Sequence, residues 1–230
     1  YKPMLREFWR DGLFEDLDHR YFRLVNRAPA LGDEIRWEAL DNAYSPFETF
    51  QSIFRAGNVG KESYFDSMTH FDFKTLLPAL LHVEDRMSMA HGLESRVPFV
   101  DHPVVEFAAT IPSNVKFKNG DLKHVLKSSL SHALPDVVAS RQNKMGFPVP
   151  LQQWMRGPLR DFVHDVLTTS AANQRALTNN RVVLDKVDQE PQFGRTVWGL
   201  LSLELWQQEF HDQEARFKAM IESEEPSCVF

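Results

Sequence analysis

Cysteine is almost missing from this sequence: the one cysteine among 230 residues is Cys228. That excludes an internal disulfide framework and multi-cysteine zinc sites, and it fits a reducing compartment. Long apolar runs are missing as well. None approaches the roughly 18 residues needed to span a bilayer, so no membrane partner is expected. The opening YKPMLREFWRDG lacks the apolar stretch of a signal peptide, and the expected location is cytoplasmic. There is no initiator methionine before Tyr1, from which processing or truncation is expected. Nor is there an excess of positive charge. Lysine and arginine number 26 against 32 acidic residues, a net charge of −6, so a broad nucleic-acid footprint is not expected and any anion site must be local. Strand-like alternation of useful length, internal repeats and low-complexity segments are also lacking.

What is present is the composition of a folded chain, 43% hydrophobic and 25% charged. The length allows one large domain or two small ones. Leu5, Phe8, Trp9, Leu13, Leu17, Tyr21, Leu24 and Val25 recur at three- and four-residue steps, which predicts a long amphipathic helix. Pro29, Gly32, Pro46, Gly57 and Gly60 then punctuate short pieces, one of them helical around Phe47 to Phe54. From Leu76 the run LLPALLHVEDRMSMAHG reads as a buried helix stopped by Gly92. Asp101 and Pro103 have the spacing of a cap and an early proline for the next helix.

Further helices are predicted over Pro150–Met155, Pro158–Leu167, Asn180–Val187 and Gly194 to about Met220. The last is striped by Val197, Trp198, Leu201, Leu205 and Phe210. The fold class is therefore mainly α, a single helical region over 1–230 with a frayed tail from 221. The five tryptophans read as core rather than stacking platforms.

Arg86, Arg96, Lys123, Arg141 and Lys144 are cations set in apolar or turn-rich sequence of an acidic chain. Asn119-Gly120 marks a tight turn, and Asp121 is placed to cap a helix carrying Leu122, Val125, Leu126 and Leu130. Lys123 then falls in a first helical turn, where side-chain charge and unpaired backbone amides add up to an oxyanion cradle. The plain alternative is a solvated surface lysine. Glu84, Asp85, Glu94 and Asp101 flank Arg86 and Arg96, either as buried ion pairs that orient the arginines or as groups that act on a substrate. His82, His91, His102 and His124 show no HExxH pattern and Ser88 and Ser95 no GxSxG elbow, so neither a metal site nor a serine nucleophile is expected.

Three segments, LLHVEDRMSMAHGLESRVPFVDHPVVEFAATIP, KNGDLKHVLKSSL and LPDVVASRQNKMGFPVPLQQWM, resemble the synthetase domain of glutamine-hydrolysing asparagine synthetases. The family pattern D-R-x-S-M-A-x-x-x-E-x-R-x-P-F-x-D is matched by Asp85, Arg86, Ser88, Met89, Ala90, Glu94, Arg96, Pro98, Phe99 and Asp101. Its G-x-x-K is matched by Gly120 and Lys123, and its K-M-G-F turn with a following tryptophan by Lys144 to Phe147 and Trp154. From Asp85 to Trp154 the resemblance spans 70 residues.

The resemblance implies the helical C-terminal half of an adenine-nucleotide α-hydrolase-like synthetase domain, without its parallel sheet and SGGxDS phosphate loop. It also implies an upstream glutaminase segment with a catalytic first cysteine. The parent reaction would adenylate aspartate with ATP and Mg²⁺, release pyrophosphate and let glutamine-derived ammonia attack β-aspartyl-AMP. By resemblance Lys123 is the catalytic cation, Arg86 and Arg96 orient aspartate or phosphate, and Lys144 is a lesser phosphate candidate. Glu84, Asp85, Glu94 and Asp101 are the supporting carboxylates. The isolated chain is expected to be inactive, with no cofactor bound, and a homodimer is allowed. Two alternatives stay open. One is a relative that amidates or cyclises another carboxylate, like a β-lactam synthetase, a peptide cyclase or a sugar-acid amidotransferase. The other is a non-catalytic helical interaction module.

Overall fold

A computed structural model of the chain describes residues 14–40, 44–60, 63–121, 123–141, 149–192 and 194–222. The described residues are mainly α-helical. Their only β pairing is two isolated bridges, Ile35 with Thr178 and Lys118 with Asp121. The chain forms two compact units, the first from 1–26 and 44–144, the second from 27–43 and 145–230. No described helix is long and apolar enough to cross a membrane.

The first unit begins with α1 (Leu17–Val25), the described part of the long helix expected from Leu5; residues 1–13 lie outside the described residues. Next comes α2 (Pro46–Phe54), whose Ser45 accepts a hydrogen bond from the Glu48 amide while Pro46 opens the first turn. In α3 (Tyr64–Lys74) Ser63 does the same for the Asp66 amide. These helices share an aromatic core of Tyr21, Phe50 and Phe54, with Phe22, Phe47, Tyr64, Met68 and Phe71 packed on it. The Tyr21 hydroxyl donates to Asp72 at 2.9 Å, and burial, aided by that carboxylate, raises its pKa. Asp18 is buried too, and its carboxylate accepts from Gln51 at 2.7 Å, from the His19 amide at 2.8 Å and from Arg55.

After this core the first unit changes character. Helices α4 (Leu76–Met89), α5 (His102–Thr110), α6 (Ser113–Lys116), α7 (His124–Ser129) and α8 (Asp136–Ala139) contribute no buried side chain among the described residues from 76 to 141. Helix α4 forms where expected, and its end is a Schellman motif. Gly92 sits at φ +68°, its amide donates to the Met89 carbonyl and the Leu93 amide to that of Ser88, both at 3.0 Å. The expected burial of α4 is corrected: Leu77 and Leu81 are half-buried, but Leu76, Leu80, Val83 and Met87 form a stripe 54% to 63% exposed. No described element of its unit covers that face.

The second unit holds α9 (Leu151–Arg156), α10 (Arg160–Thr168), α11 (Ser170–Asn173), α12 (Asn180–Val187), α13 (Thr196–Trp206) and α14 (Glu214–Glu222). Its core is Met155, Val163, Val166, Leu167, Val183, Val187, Val197, Leu200 and Leu201, with Ile35 from the early segment. The triplets 163-166-167 and 197-200-201 show the i, i+3, i+4 spacing of one helical face. Ile35 reaches this core through the bridge to Thr178, where the Arg36 amide donates to the Leu177 carbonyl and the Asn179 amide to that of Glu34, both at 2.8 Å.

The helix expected from Gly194 to Met220 is instead divided by a π-helical stretch at Gln207–His211. Its inward face also differs from the expected stripe: Glu204 is buried, while Trp198, Leu205 and Phe210 are exposed. The sequence of α13, TVWGLLSLELW, is apolar nearly all round, so periodicity could not choose the face. The expectation of core tryptophans is corrected in the same way, since Trp37, Trp154, Trp198 and Trp206 are each 43% to 47% exposed.

Glu34 is fully buried. Burial alone would raise its carboxyl, but hydrogen bonds from Lys186 and from the Glu34 and Gly32 amides outweigh it and hold it below 4.5. The ionised group therefore contributes its full stability above pH 4.5, and that contribution is lost as pH falls through the lower folded value. Fluorescence-monitored unfolding is expected to show stability falling below pH 4.5 more steeply in the natural chain than in Glu34→Gln; equal slopes would overturn this.

Candidate functional site

The described residues among those singled out in the sequence lie in the part of the first unit where no described side chain is buried. Glu84, Asp85 and Arg86 occupy consecutive positions near the end of α4, all exposed. Glu84 accepts a hydrogen bond from the Ser95 hydroxyl at 2.7 Å, which ties the loop after Gly92 back to the helix. Arg96 pairs with Glu94 at 3.0 Å. The buried ion pair considered for these residues is corrected, because the two side chains are 80% and 68% exposed and solvent screens them strongly. Asp101 stands at the cap position of α5, ahead of Pro103, but makes no side-chain capping bond. Among the described residues the side chains of Asp85, Arg86, Asp101 and Lys123 make no hydrogen bond or ion pair with one another. Lys144 and the KMGF turn lie outside the described residues.

The surroundings of Lys123 differ from the expectation. Asn119 (φ 53°) and Gly120 (φ 79°) do form a tight left-handed turn, closed by the Lys118–Asp121 bridge. Asp121 does not cap the helix, however. The cap position is Lys123 itself, in the left-handed region at φ 59°, and α7 starts only at His124 and lasts six residues. Such a short helix has little macrodipole, so the expected cradle of helix amides at Lys123 is not formed, and the exposed Lys123 side chain acts as a cation on its own.

Asp121 instead turns toward the next turn of α7. One carboxylate oxygen accepts from Lys127 at 2.6 Å and the other lies 3.3 Å from His124 Nδ1. The Lys127 hydrogen bond, working against partial burial and assisted by His124, holds Asp121 below the usual carboxylate range. Asp121, His124, Lys127, Ser128, Ala139, Ser140 and Arg141 line a cleft of about 370 Å³. The 124-127-128 spacing on one helix face was the available sequence signal for this cleft.

The motif carboxylates do not gather into a magnesium site among the described residues. Among the described residues the group with metal-ligand spacing is Asp16, Asp18 and His19, in the aromatic half of the unit, and its Asp18 oxygens are already hydrogen-bonded to Gln51 and Arg55. The described residues therefore do not assemble a site for that ion.

The Asparagine synthase family model matches residues 2–208. The chain belongs to this family. It is 28% identical over 195 residues to glutamine-hydrolysing asparagine synthetase 1 of Bacillus subtilis, a match covering 80% of this chain and 30% of that protein. A Mycobacterium bovis protein provisionally named glutamine-hydrolysing asparagine synthetase is 32% identical over 145 residues, 60% of this chain and 22% of its own length. Amidase chry2 of Gibberella zeae is 27% identical over 123 residues, 50% of this chain and 18% of its own. The chain thus spans less than a third of the length of these relatives. No solved structure matches it.

Proposed function

We propose that this chain supplies the helical, cation-bearing part of an ATP-dependent carbon–nitrogen ligase that makes asparagine from aspartate and glutamine-derived ammonia. The observation that carries the reading is the family match over 2–208; the exposure of Asp85, Arg86, Gly120 and Lys123 supports it. In the proposed reaction an oxygen of the aspartate side-chain carboxylate attacks the α-phosphorus of ATP. The bond from that phosphorus to the bridging oxygen breaks, and pyrophosphate leaves. Ammonia then attacks the acyl carbon, the bond from that carbon to the phosphate oxygen breaks as AMP departs, and the nitrogen gives up one proton to solvent.

Both steps shift negative charge onto phosphate oxygens, which preorganised cations stabilise more in the transition state than in the ground state. Lys123, exposed and without a partner among the described residues, is the proposed cation for this charge. Arg86 and Arg96 are proposed to orient aspartate or phosphate, Lys144 to contact phosphate, and Glu84, Asp85, Glu94 and Asp101 to position these cations. The chain has no SGGxDS segment to bind nucleotide, and the exposed stripe of α4 supports a site completed by other parts of a longer protein.

Aspartate-dependent ATP–pyrophosphate exchange tests this, measured on the 230-residue chain and on one extended upstream through a phosphate-loop segment. Exchange by the longer chain alone is expected, with Lys123→Ala abolishing it. Exchange by the short chain would overturn the divided-site reading. No aspartate-dependent exchange by either would favour a second reading, supported by the match to an amidase, in which another carboxylate is the substrate.

A further inference from the structure

The first unit carries another cleft, larger than the one at α7 and different in character. It measures about 500 Å³, within the roughly 300–1,000 Å³ of small-molecule sites. Helix α3 lines it with Asp66, Thr69, His70 and Phe73, and α5 lines it with Val105, Ala108 and Ala109. Both sets have the i, i+3, i+4 spacing of a single helix face. Phe65, Phe73 and Val105 make much of the lining apolar, and the small side chains of Ala108 and Ala109 leave the space open.

One acid and one base stand at this apolar lining. Asp66 Oδ2 accepts from the Ser63 hydroxyl, while Oδ1 lies 3.9 Å from Lys116 Nζ, too far for a hydrogen bond. The Lys116 side chain is only 20% exposed and has no nearer acceptor among the described residues. An ammonium shielded from water without an acceptor is costly, and a ligand carboxylate would relieve that cost. The side chains of His70 and Asn58, both in the lining, likewise have no hydrogen-bond partner among the described residues. Asp66 Oδ1 supplies the opposite charge beside them. None of Asp85, Arg86, Arg96 and Lys123 lines this cleft.

We propose that this cleft binds a free α-amino acid with a large apolar side chain. The ligand carboxylate pairs with Lys116 and the ligand ammonium with Asp66, which replaces one long ion pair by two charge-assisted hydrogen bonds. Asn58 and His70 offer further hydrogen bonds to the carboxylate. The ligand side chain lies against Phe65, Phe73 and Val105, a lining that favours an aromatic or branched group and disfavours a second carboxylate. Aspartate is therefore not its ligand, and the site neither takes part in the proposed ligase reaction nor depends on it.

The test is calorimetric titration of the full chain with L-phenylalanine and with three compounds that each lack one handle. N-acetyl-L-phenylalanine lacks the ammonium, L-phenylalanine amide lacks the carboxylate, and glycine lacks the apolar side chain. Saturable one-site binding of L-phenylalanine is expected. Either charge-deficient analogue should bind about tenfold more weakly, the loss of one charge-assisted contact, and glycine should show no binding. Lys116→Gln should weaken L-phenylalanine about tenfold and erase its advantage over the amide, while keeping its advantage over the N-acetyl compound. Asp66→Asn should do the reverse. Lys218→Gln, in the second unit, should change nothing. Circular dichroism checks each variant's helicity, and if Asp66→Asn loosens the start of α3, Lys116→Gln decides. Absence of saturable L-phenylalanine binding, equal affinity for all three phenylalanine compounds, or a Lys116→Gln chain that still discriminates against the amide overturns the proposal. Tighter binding of L-aspartate than of L-phenylalanine overturns it as well.

Discussion

Arg175→Ala is expected to destabilise the second unit by about 3–5 kcal/mol, the cost of leaving one member of a buried ion pair without its partner. The guanidinium lies between two carboxylates. Its Nε and Nη2 donate to Glu204, both at 3.1 Å, and its Nη1 and Nη2 donate to Asp212 at 2.8 and 2.7 Å. Glu204 is only 2% exposed and retains no other side-chain donor than Gln208, at 2.9 Å. Hydrogen bonds to Asp212 and Glu204 raise the already high pKa of Arg175, so the guanidinium stays charged throughout unfolding studies. Tryptophan fluorescence reads this unit well, since Trp37, Trp154, Trp198 and Trp206 all belong to it. Arg175→Lys should recover only part of the loss, because an ammonium cannot form two planar forks. The double change Arg175→Met with Glu204→Met should fall well short of the sum of the single losses. A loss below about 1 kcal/mol for Arg175→Ala, the size of one ordinary hydrogen bond, would contradict the argument.

Phe50→Ala should cost the first unit a similar amount, about 3–5 kcal/mol, through lost burial and a residual cavity. Phe50 is 4% exposed, and its ring centroid lies 4.8 Å from that of Phe71, 5.0 Å from Phe54, 5.2 Å from Phe22 and 6.2 Å from Tyr21. It is therefore the common neighbour that joins α1, α2 and α3. Aromatic contacts at these distances add to the area buried. Native-state hydrogen exchange at the amides of α1 and α2 measures the effect, and Phe50→Leu should keep more than half of the lost protection. If the Phe50→Ala chain protected those amides as well as the natural one, the core would have to lie elsewhere.

Much of the helical organisation was legible because it depends on local rules. The proline and glycine signals at Pro46, Gly92 and Pro103 placed helix boundaries close to where they occur, and Asn180–Val187 was read as it stands. What escaped was whatever depends on distant neighbours. Glu204 looks like a surface residue until Arg175, 29 positions away, reaches it. The buried Glu34 is explained only by Lys186, 152 positions away. The stripe on α4 has the spacing of a core face, and periodicity cannot say whether anything covers it. At the candidate site the residue types of the motif were legible, but Lys123 was placed two positions too far into its helix, because a cap residue in the left-handed region leaves no mark that Asp121 does not also leave. The cleft at Lys127 and Arg141 escaped because its lining comes from α7 and from the end of α8 and the residues after it, which no periodic pattern links.

The absence of any buried side chain among the described residues from 76 to 141 bears on how a ligand would be held there. With no core of its own, such a segment draws little cooperative free energy from the rest of the unit, and local opening becomes inexpensive. If only a fraction of molecules present the competent arrangement at a given moment, the observed affinity is the intrinsic one reduced by that fraction. Anything that clamps the segment would then tighten ligand binding without touching the ligand. By thermodynamic reciprocity, the ligand would tighten the clamp by the same factor.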